Sequence, residues 1–262
     1  TPQGTVEFEE ATYSLVVSPG RTSIAVRTGL ARVPDPATED LLALTELQST
    51  ELSEEGLGEI TVGERNILRG LNGNFESPVE ETWEPYATAA FEDENSGVVR
   101  QDNIGNERIG LIFERVGEGH AETGVTQDVN QDIRGARSLR VRARVRVDLQ
   151  WLPVCGSLGT ECPIMLRITY TDNQKGSTHE WLQGFYTGEP SESDPEYCAI
   201  CEWKAHHIQV TKGVWYDYES PDLLPLLQEK GIRPATIQSI SVYASGHTYV
   251  AAIDEIAVLV GE

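Results

Sequence analysis

Leu139-Arg140-Val141-Arg142-Ala143-Arg144-Val145-Arg146-Val147 alternates apolar and basic residues without a break. Successive residues of a strand point to opposite faces, so one face takes Leu139, Val141, Ala143, Val145 and Val147. The other takes Arg140, Arg142, Arg144 and Arg146. A helix would scatter both sets around its circumference. The stretch predicts a long strand with one core face, and it sets the expected fold class as all-β.

Strand-like runs continue on both sides of it. They cover residues 108–113, 124–129, 164–170, 181–186, 205–210, 237–243 and 251–260, with a turn at Asp172-Asn173-Gln174-Lys175-Gly176. About eight strands in this space fit a β-sandwich. The one clear helical candidate is residues 221–230, which Gly231 stops. Upstream, residues 4–33 alternate in short runs around the turn Ser18-Pro19-Gly20, the signature of a β-meander. Leu41, Leu42, Leu44 and Leu47 follow at helical spacing and predict a short helix. Residues 48–65 are acidic and glycine-bearing and read as linker. No repeat period is visible.

Composition also changes along the chain. Residues 1–70 hold 12 acidic residues and 5 Arg but no Cys, Trp, His or Lys, whereas all five Trp lie beyond residue 80. Aromatics bury large areas, so the main core is expected in the second region, beyond a boundary near residues 66–72. The expected organisation is a β-meander over 1–36, an acidic linker with a short helix over 37–69, and a sandwich over 70–262.

Charge narrows the partners. With 42 Asp plus Glu against 20 Lys plus Arg in 262 residues, the net charge is -22. Nucleic acid is bound through clustered cations that release counterions, and an anionic membrane surface repels such a chain. No apolar run approaches bilayer length, so no transmembrane segment is expected. The opening Thr1-Pro2-Gln3-Gly4 lacks an initiator Met and a signal-like pattern, and reads as a processed or truncated beginning.

Residues 1–7, then Tyr13-Ser14-Leu15-Val16-Val17-Ser18-Pro19-Gly20-Arg21-Thr22, then Val26-Arg27-Thr28-Gly29-Leu30-Ala31-Arg32-Val33, resemble the end of a FecR domain. That resemblance implies an extracytoplasmic signalling or scaffolding context, and the family's earlier strands have no counterpart here. Leu71-Asn72-Gly73-Asn74-Phe75-Glu76 with Trp83, and Ser241-Val242-Tyr243-Ala244-Ser245-Gly246-His247 with Ala252-Ile253-Asp254-Glu255-Ile256, resemble the opening and closing runs of a galactose-binding-like jelly roll. Carbohydrate-binding modules share this architecture. Residues 155–163 resemble a loop of FecR-linked extracellular modules from Chloroflexi-type bacteria. The jelly-roll resemblance implies a structural Ca²⁺ held by Glu76 and Asp254.

Other candidate sites come from the residues. An even cysteine count in a chain of extracytoplasmic character favours disulfides, and Cys155, Cys162, Cys198 and Cys201 allow three pairings. The local pairs Cys155–Cys162 and Cys198–Cys201 are preferred, though spacing does not settle them. A four-thiolate zinc site wants two Cys-x2-Cys knuckles, and only Cys198–Cys201 has that spacing. The stripe Arg140, Arg142, Arg144 and Arg146 suits docking of an acidic glycan or neighbour, but in an acidic protein cross-strand carboxylates are the preferred answer to it. Sugar stacking wants exposed rings. The candidates are Trp151, Trp203, Trp181, Tyr186, Trp215 and Tyr216, with Gln183, Asp217 and His206 as hydroxyl partners.

No hydrolase, metalloprotease or phosphate-loop motif is present. The expected function is a non-catalytic extracellular or cell-surface protein that binds carbohydrate in a FecR-type setting. One alternative is a self-assembling homo-oligomer or filament joined by strand pairing, since a short meander leaves edges exposed. A weaker one is an enzyme acting on polysaccharide.

Overall fold

The computed structural model describes all residues except 39, 92, 154, 156–159, 174–175, 190–205 and 262. Two compact units divide the chain: Thr1–Arg65 with Val260–Glu262, and Asn66–Leu259.

The first unit is one antiparallel sheet. Its strands are β1 (Glu7–Ser18), β2 (Arg21–Pro34), β3 (Leu41–Leu44), β4 (Gln48–Ser53), β5 (Gly56–Leu57) and β6 (Thr61–Val62). The order is β1-β2-β4-β5, with β3 also on β2 and β6 on β4. β2 carries the core, burying Ile24 and Val26 and then Ala31 and Val33. The buried parity switches between these pairs where the β1–β2 register slips twice, between Glu9 and Thr12 and between Thr12 and Tyr13. Gly29 permits the first slip: it has φ +84°, and a Cβ there would stand 2.4 Å from the Glu10 carbonyl oxygen.

Residues 37–69 differ from expectation. Leu41–Leu44 is a strand and not a helix, pairing with residues 31–34 of β2. Four residues cannot repay helix nucleation, and the ladder on β2 buries Leu44 instead. The segment read as linker, residues 48–65, supplies β4 to β6 and adds Leu52 to the core. A short β7 (Glu64–Asn66) falls at the division between the units.

The second unit is a β-sandwich. A 3-10 turn (Val79–Glu81) leads to β8 (Glu84–Ala89), β9 (Val98–Gly105), β10 (Arg108–Arg115), β11 (Ala121–Asp132), β12 (Ser138–Gln150) and β13 (Ile164–Asp172). There follow β14 (Thr178–Tyr186), β15 (Ile208–Gln209), β16 (Tyr216–Glu219), α1 (Leu223–Glu229), β17 (Pro234–Gly246) and β18 (Tyr249–Gly261). One sheet runs β16-β12-β18-β10-β9, and the other runs β15-β14-β13-β17-β11-β8. Leu111, Phe113, Val141, Val145 and Ile253 of the first sheet are fully buried, as are Val125, Leu166, Phe185 and Val242 of the second. The Phe185 ring meets Tyr218 edge-on at 5.1 Å, joining β14 to β16.

α1 is shorter than residues 221–230 because Asp222 caps it, its carboxylate accepting from Leu224 N at 3.1 Å. Among the described residues, no helix is long and apolar enough to cross a membrane.

A tyrosine–arginine–carboxylate array on the outer face of the second sheet

Period two in β8, β11, β17, β13 and β14 leaves one side chain in two facing away from the sandwich core. Register lines up Tyr86 with Gly124, Gly124 with Tyr243, Tyr243 with Met165, and Met165 with Gly184. One row on, Thr126, Ser241, Arg167 and Leu182 stand side by side. Gly124 is required between the two tyrosines: a Cβ there would come within 2.4 Å of the Tyr243 Cβ.

Arg167 is the centre of this face. Its guanidinium lies over the Tyr243 ring at 4.4 Å, and its Nη2 donates to the Tyr243 hydroxyl at 2.9 Å. Glu122 and Glu180 each place a carboxylate oxygen 3.8 Å from it. Tyr86 donates its hydroxyl to Glu122 Oε1 at 2.6 Å. Ser241 Oγ donates to Thr126 Oγ1 at 3.0 Å. Arg167 Nε is buried and makes no hydrogen bond. Burial, then the bond to Glu122, pushes the Tyr86 phenol well above the usual tyrosine range. Burial raises the Tyr243 phenol too, with Arg167 opposing it. Both rings therefore stay neutral and keep a donor and an acceptor at neutral pH.

At one end of the face Cys155 and Cys162 are joined by a disulfide. The two cysteines pack with Met165, Leu182, Tyr186 and Tyr243 in one apolar cluster. His207 accepts from Gly184 N at 2.9 Å beside them. Cys155, Cys162 and His207 form the one metal-like grouping among the described residues, and the disulfide occupies both sulfurs.

The residues singled out in the sequence fall elsewhere or play other parts. Trp181 is core, opposite Ile168 of β13, and cannot stack on a ligand. Gln183 is buried too, donating to the Gly184 and His206 carbonyls and accepting from Tyr218. Tyr186 is buried in the disulfide cluster. Trp151 is exposed at 58%, with His247 edge-on to it at 6.2 Å. Cys198, Cys201 and Trp203 lie outside the described residues.

The arginine stripe does occupy the outer face of the other sheet, and its guanidiniums are answered. Arg142 meets Glu219 at 2.6 Å, Arg144 meets Asp217 at 3.3 Å, and Arg146 meets Asp148 at 2.9 Å. Arg140 is engaged as well. Trp215 sits against Arg144 and Arg146, at 5.2 and 4.7 Å from ring centroid to guanidinium carbon. In place of a free basic stripe there is a compensated charge ladder.

Asp254 belongs to that ladder. Arg108 Nε donates to its Oδ1 at 3.1 Å, and Arg144 Nη1 to its Oδ2 at 2.9 Å. Glu76 is exposed and lines a separate cleft of about 490 Å³ with Glu81 and Glu255, a lining that omits Asp254. Two guanidiniums on Asp254 repel a cation, so Glu76 and Asp254 do not fit a shared Ca²⁺.

Sequence reading missed Tyr86, Glu122, Arg167 and Tyr243. The available signal was the polar half of each alternating strand, Glu122-x-Gly124-x-Thr126 on β11 and Ser241-x-Tyr243 on β17.

No protein-family model matches the chain, and no curated protein does. The resemblance of residues 1–36 to a FecR domain therefore rests on the quoted residues alone. Solved structures are similar in architecture. One is the family 11 carbohydrate-binding module from Clostridium thermocellum in complex with a β-1,3-1,4-mixed-linked tetrasaccharide. It shares 14% identity over 77% of this chain and 97% of that one, with a TM-score of 0.41. Another is the module TmCBM61 in complex with β-1,4-galactotriose, at 15% identity over 74% and 97%, with a TM-score of 0.36. A third is the enzymatically active domain of bacteriophage CBA120 tailspike protein 4, at 12% identity over 74% of this chain and 21% of that one, with a TM-score of 0.41.

Proposed function

We propose that the second unit is a non-catalytic carbohydrate-binding module, and that Tyr86, Glu122, Arg167 and Glu180 hold its ligand, with the buried Tyr243 positioning Arg167 from beneath. The observation that carries this reading is the array itself: one guanidinium among two carboxylates and the half-buried Tyr86 phenol, on an outer sheet face and seated over the fully buried Tyr243 ring. A pyranose presents hydroxyls that both donate and accept, together with an apolar face. Carboxylates accept from such hydroxyls, a guanidinium donates to a vicinal pair, and the Tyr86 ring packs against the C–H surface. Two carboxylates against one cation disfavour a uronate or sulfated chain. A neutral polysaccharide is the ligand class.

The disulfide suits an oxidising compartment and supports an extracytoplasmic location for the module. The resemblance of residues 1–36 adds a FecR-type cell-surface scaffold.

Affinity electrophoresis and calorimetry with mixed-linkage β-glucan, galactan and a polyuronate test the reading. Neutral polymers are expected to bind, and Arg167→Ala and Glu122→Gln to weaken binding roughly tenfold or more, about 1.4 kcal/mol or more. Failure of every neutral polymer, or binding unchanged in both variants, refutes it. Release of reducing ends would overturn its non-catalytic part.

A further inference from the structure

The polar row on the second sheet does not stop at Glu122. Ser245 of β17 lies directly opposite Glu122 of β11. Its hydroxyl stands 3.0 Å from His120 Nε2 and accepts from Glu161 N at 3.3 Å. The Glu161 side chain reaches on to the β17–β18 turn, where its Oε2 is 3.1 Å from His247 Nδ1. Trp151 ends the row: its backbone N–H donates to the Thr248 carbonyl at 3.1 Å, and its ring meets His247 edge-on at 6.2 Å.

Local structure holds this end of the row in place. Glu161 has φ +71°, a left-handed conformation uncommon outside glycine. Cys162 beside it ties the segment down twice, through its disulfide and through its carbonyl, which accepts from Ser245 N at 3.0 Å. Gly246 leaves room for the Glu161 carboxylate, since a Cβ there would stand 3.0 Å from Oε2. Glu122, His120, Glu161 and His247 are all half-buried, so the row stays open to a ligand along its length. At its end Trp151 is 58% exposed, whereas Trp83 and Trp181 are core and Trp215 lies against Arg144 and Arg146. A large ring left in water gives up the burial that the other tryptophans gain.

We propose that Trp151, with His247 and Glu161 beside it, is a second sugar subsite of the same module. The ligand is then a neutral polysaccharide chain held along its length between Arg167 and Trp151. The subsite rests on the carbohydrate-binding reading of the Arg167 array. The indole offers a flat apolar face to the C–H side of a pyranose, and the Glu161 carboxylate accepts from its hydroxyls. Distance makes the ligand a chain. Tyr243, beneath Arg167, and His247 are four residues apart, or ~14 Å of extended backbone at ~3.4 Å per residue, with the Trp151 ring a further 6.2 Å from that of His247. One pyranose cannot touch both ends, and several linked units can. Glu161 adds a third carboxylate to the row, which again disfavours a polyuronate.

Calorimetry with mixed-linkage β-gluco-oligosaccharides and β-1,4-galacto-oligosaccharides of two and six units tests the subsite. Wild type is expected to bind the six-unit chain of one series at least roughly tenfold more tightly than its two-unit member, the affinity equivalent of about one aromatic contact. Trp151→Ala should remove that gain, and Arg167→Ala should weaken both lengths. Trp151→Tyr keeps a ring and should retain most of the gain, and circular dichroism of each variant controls for folding. Equal wild-type affinity for the two lengths overturns the subsite and leaves the array reading standing. So does a gain that Trp151→Ala leaves intact, or one that Trp151→Tyr loses as fully as Trp151→Ala. Absence of binding to every neutral chain, or binding indifferent to Arg167→Ala, overturns the array reading and the subsite with it.

Discussion

Asp254→Asn keeps the shape of the side chain and removes its charge at the point where three strands of one sheet meet. Asp254 is on β18, Arg144 on neighbouring β12, and Arg108 on neighbouring β10. The carboxylate is only 2% exposed and takes hydrogen bonds from both guanidiniums. Each charged bond of this kind contributes about 1.5–3 kcal/mol net. The guanidiniums are 45% and 30% exposed, so once released they regain water and part of the loss is recovered. The expected cost is ~2–4 kcal/mol, below the range for stranding a fully buried charge. For a unit of this size that lowers the melting temperature by about 5–12 °C. Differential scanning calorimetry of wild type and variant, each with and without Ca²⁺, reads the effect. The reasoning predicts the same loss in both conditions and no Ca²⁺-dependent rise in wild type. A variant that melts with wild type refutes the ion-pair account. A Ca²⁺-dependent rise in wild type that the variant lacks would make Asp254 a metal ligand after all.

Asp222→Ala removes the acceptor of two backbone N–H groups, those of Leu224 and Leu139, and should cost about 1–2 kcal/mol, read by urea denaturation. Alkaline titration should separate folded from unfolded tyrosines. Burial, as the largest cause, raises the phenols of Tyr86, Tyr218, Tyr243 and Tyr249 above their ordinary value, whereas the unfolded chain ionises near pH 10. The folded state therefore holds more protons above that pH. The stabilisation is complete below about pH 10 and falls as pH rises. Tyrosinate absorbance from these four should appear together with loss of circular dichroism, and a gradual rise in a still-folded protein would contradict their burial.

Legibility followed the range of the interaction that decides each feature. Strand β12 could be read directly because alternation is local, and α1 because its cap and stop are neighbours in the chain. Leu41–Leu44 misled because helical spacing over so few residues is weak beside a ladder on β2 that sequence spacing does not reveal. Trp181 and Gln183 were drawn to the ligand face by residue type, but their parity on β14 turns them inward. Asp254 resembled a metal ligand in its motif. Its two guanidinium partners lie 110 and 146 positions away.

Composition and period two were sufficient, by themselves, to determine an acidic, all-β chain with a sandwich in its second region, because hydrophobic alternation acts between residues a few positions apart. Tertiary structure alone decided where the polar halves of those strands meet. Tyr86, Glu122, Arg167 and Tyr243 come from four strands, and register across the sheet, held by backbone hydrogen bonds and by the absence of a side chain at Gly124, brings them onto one face.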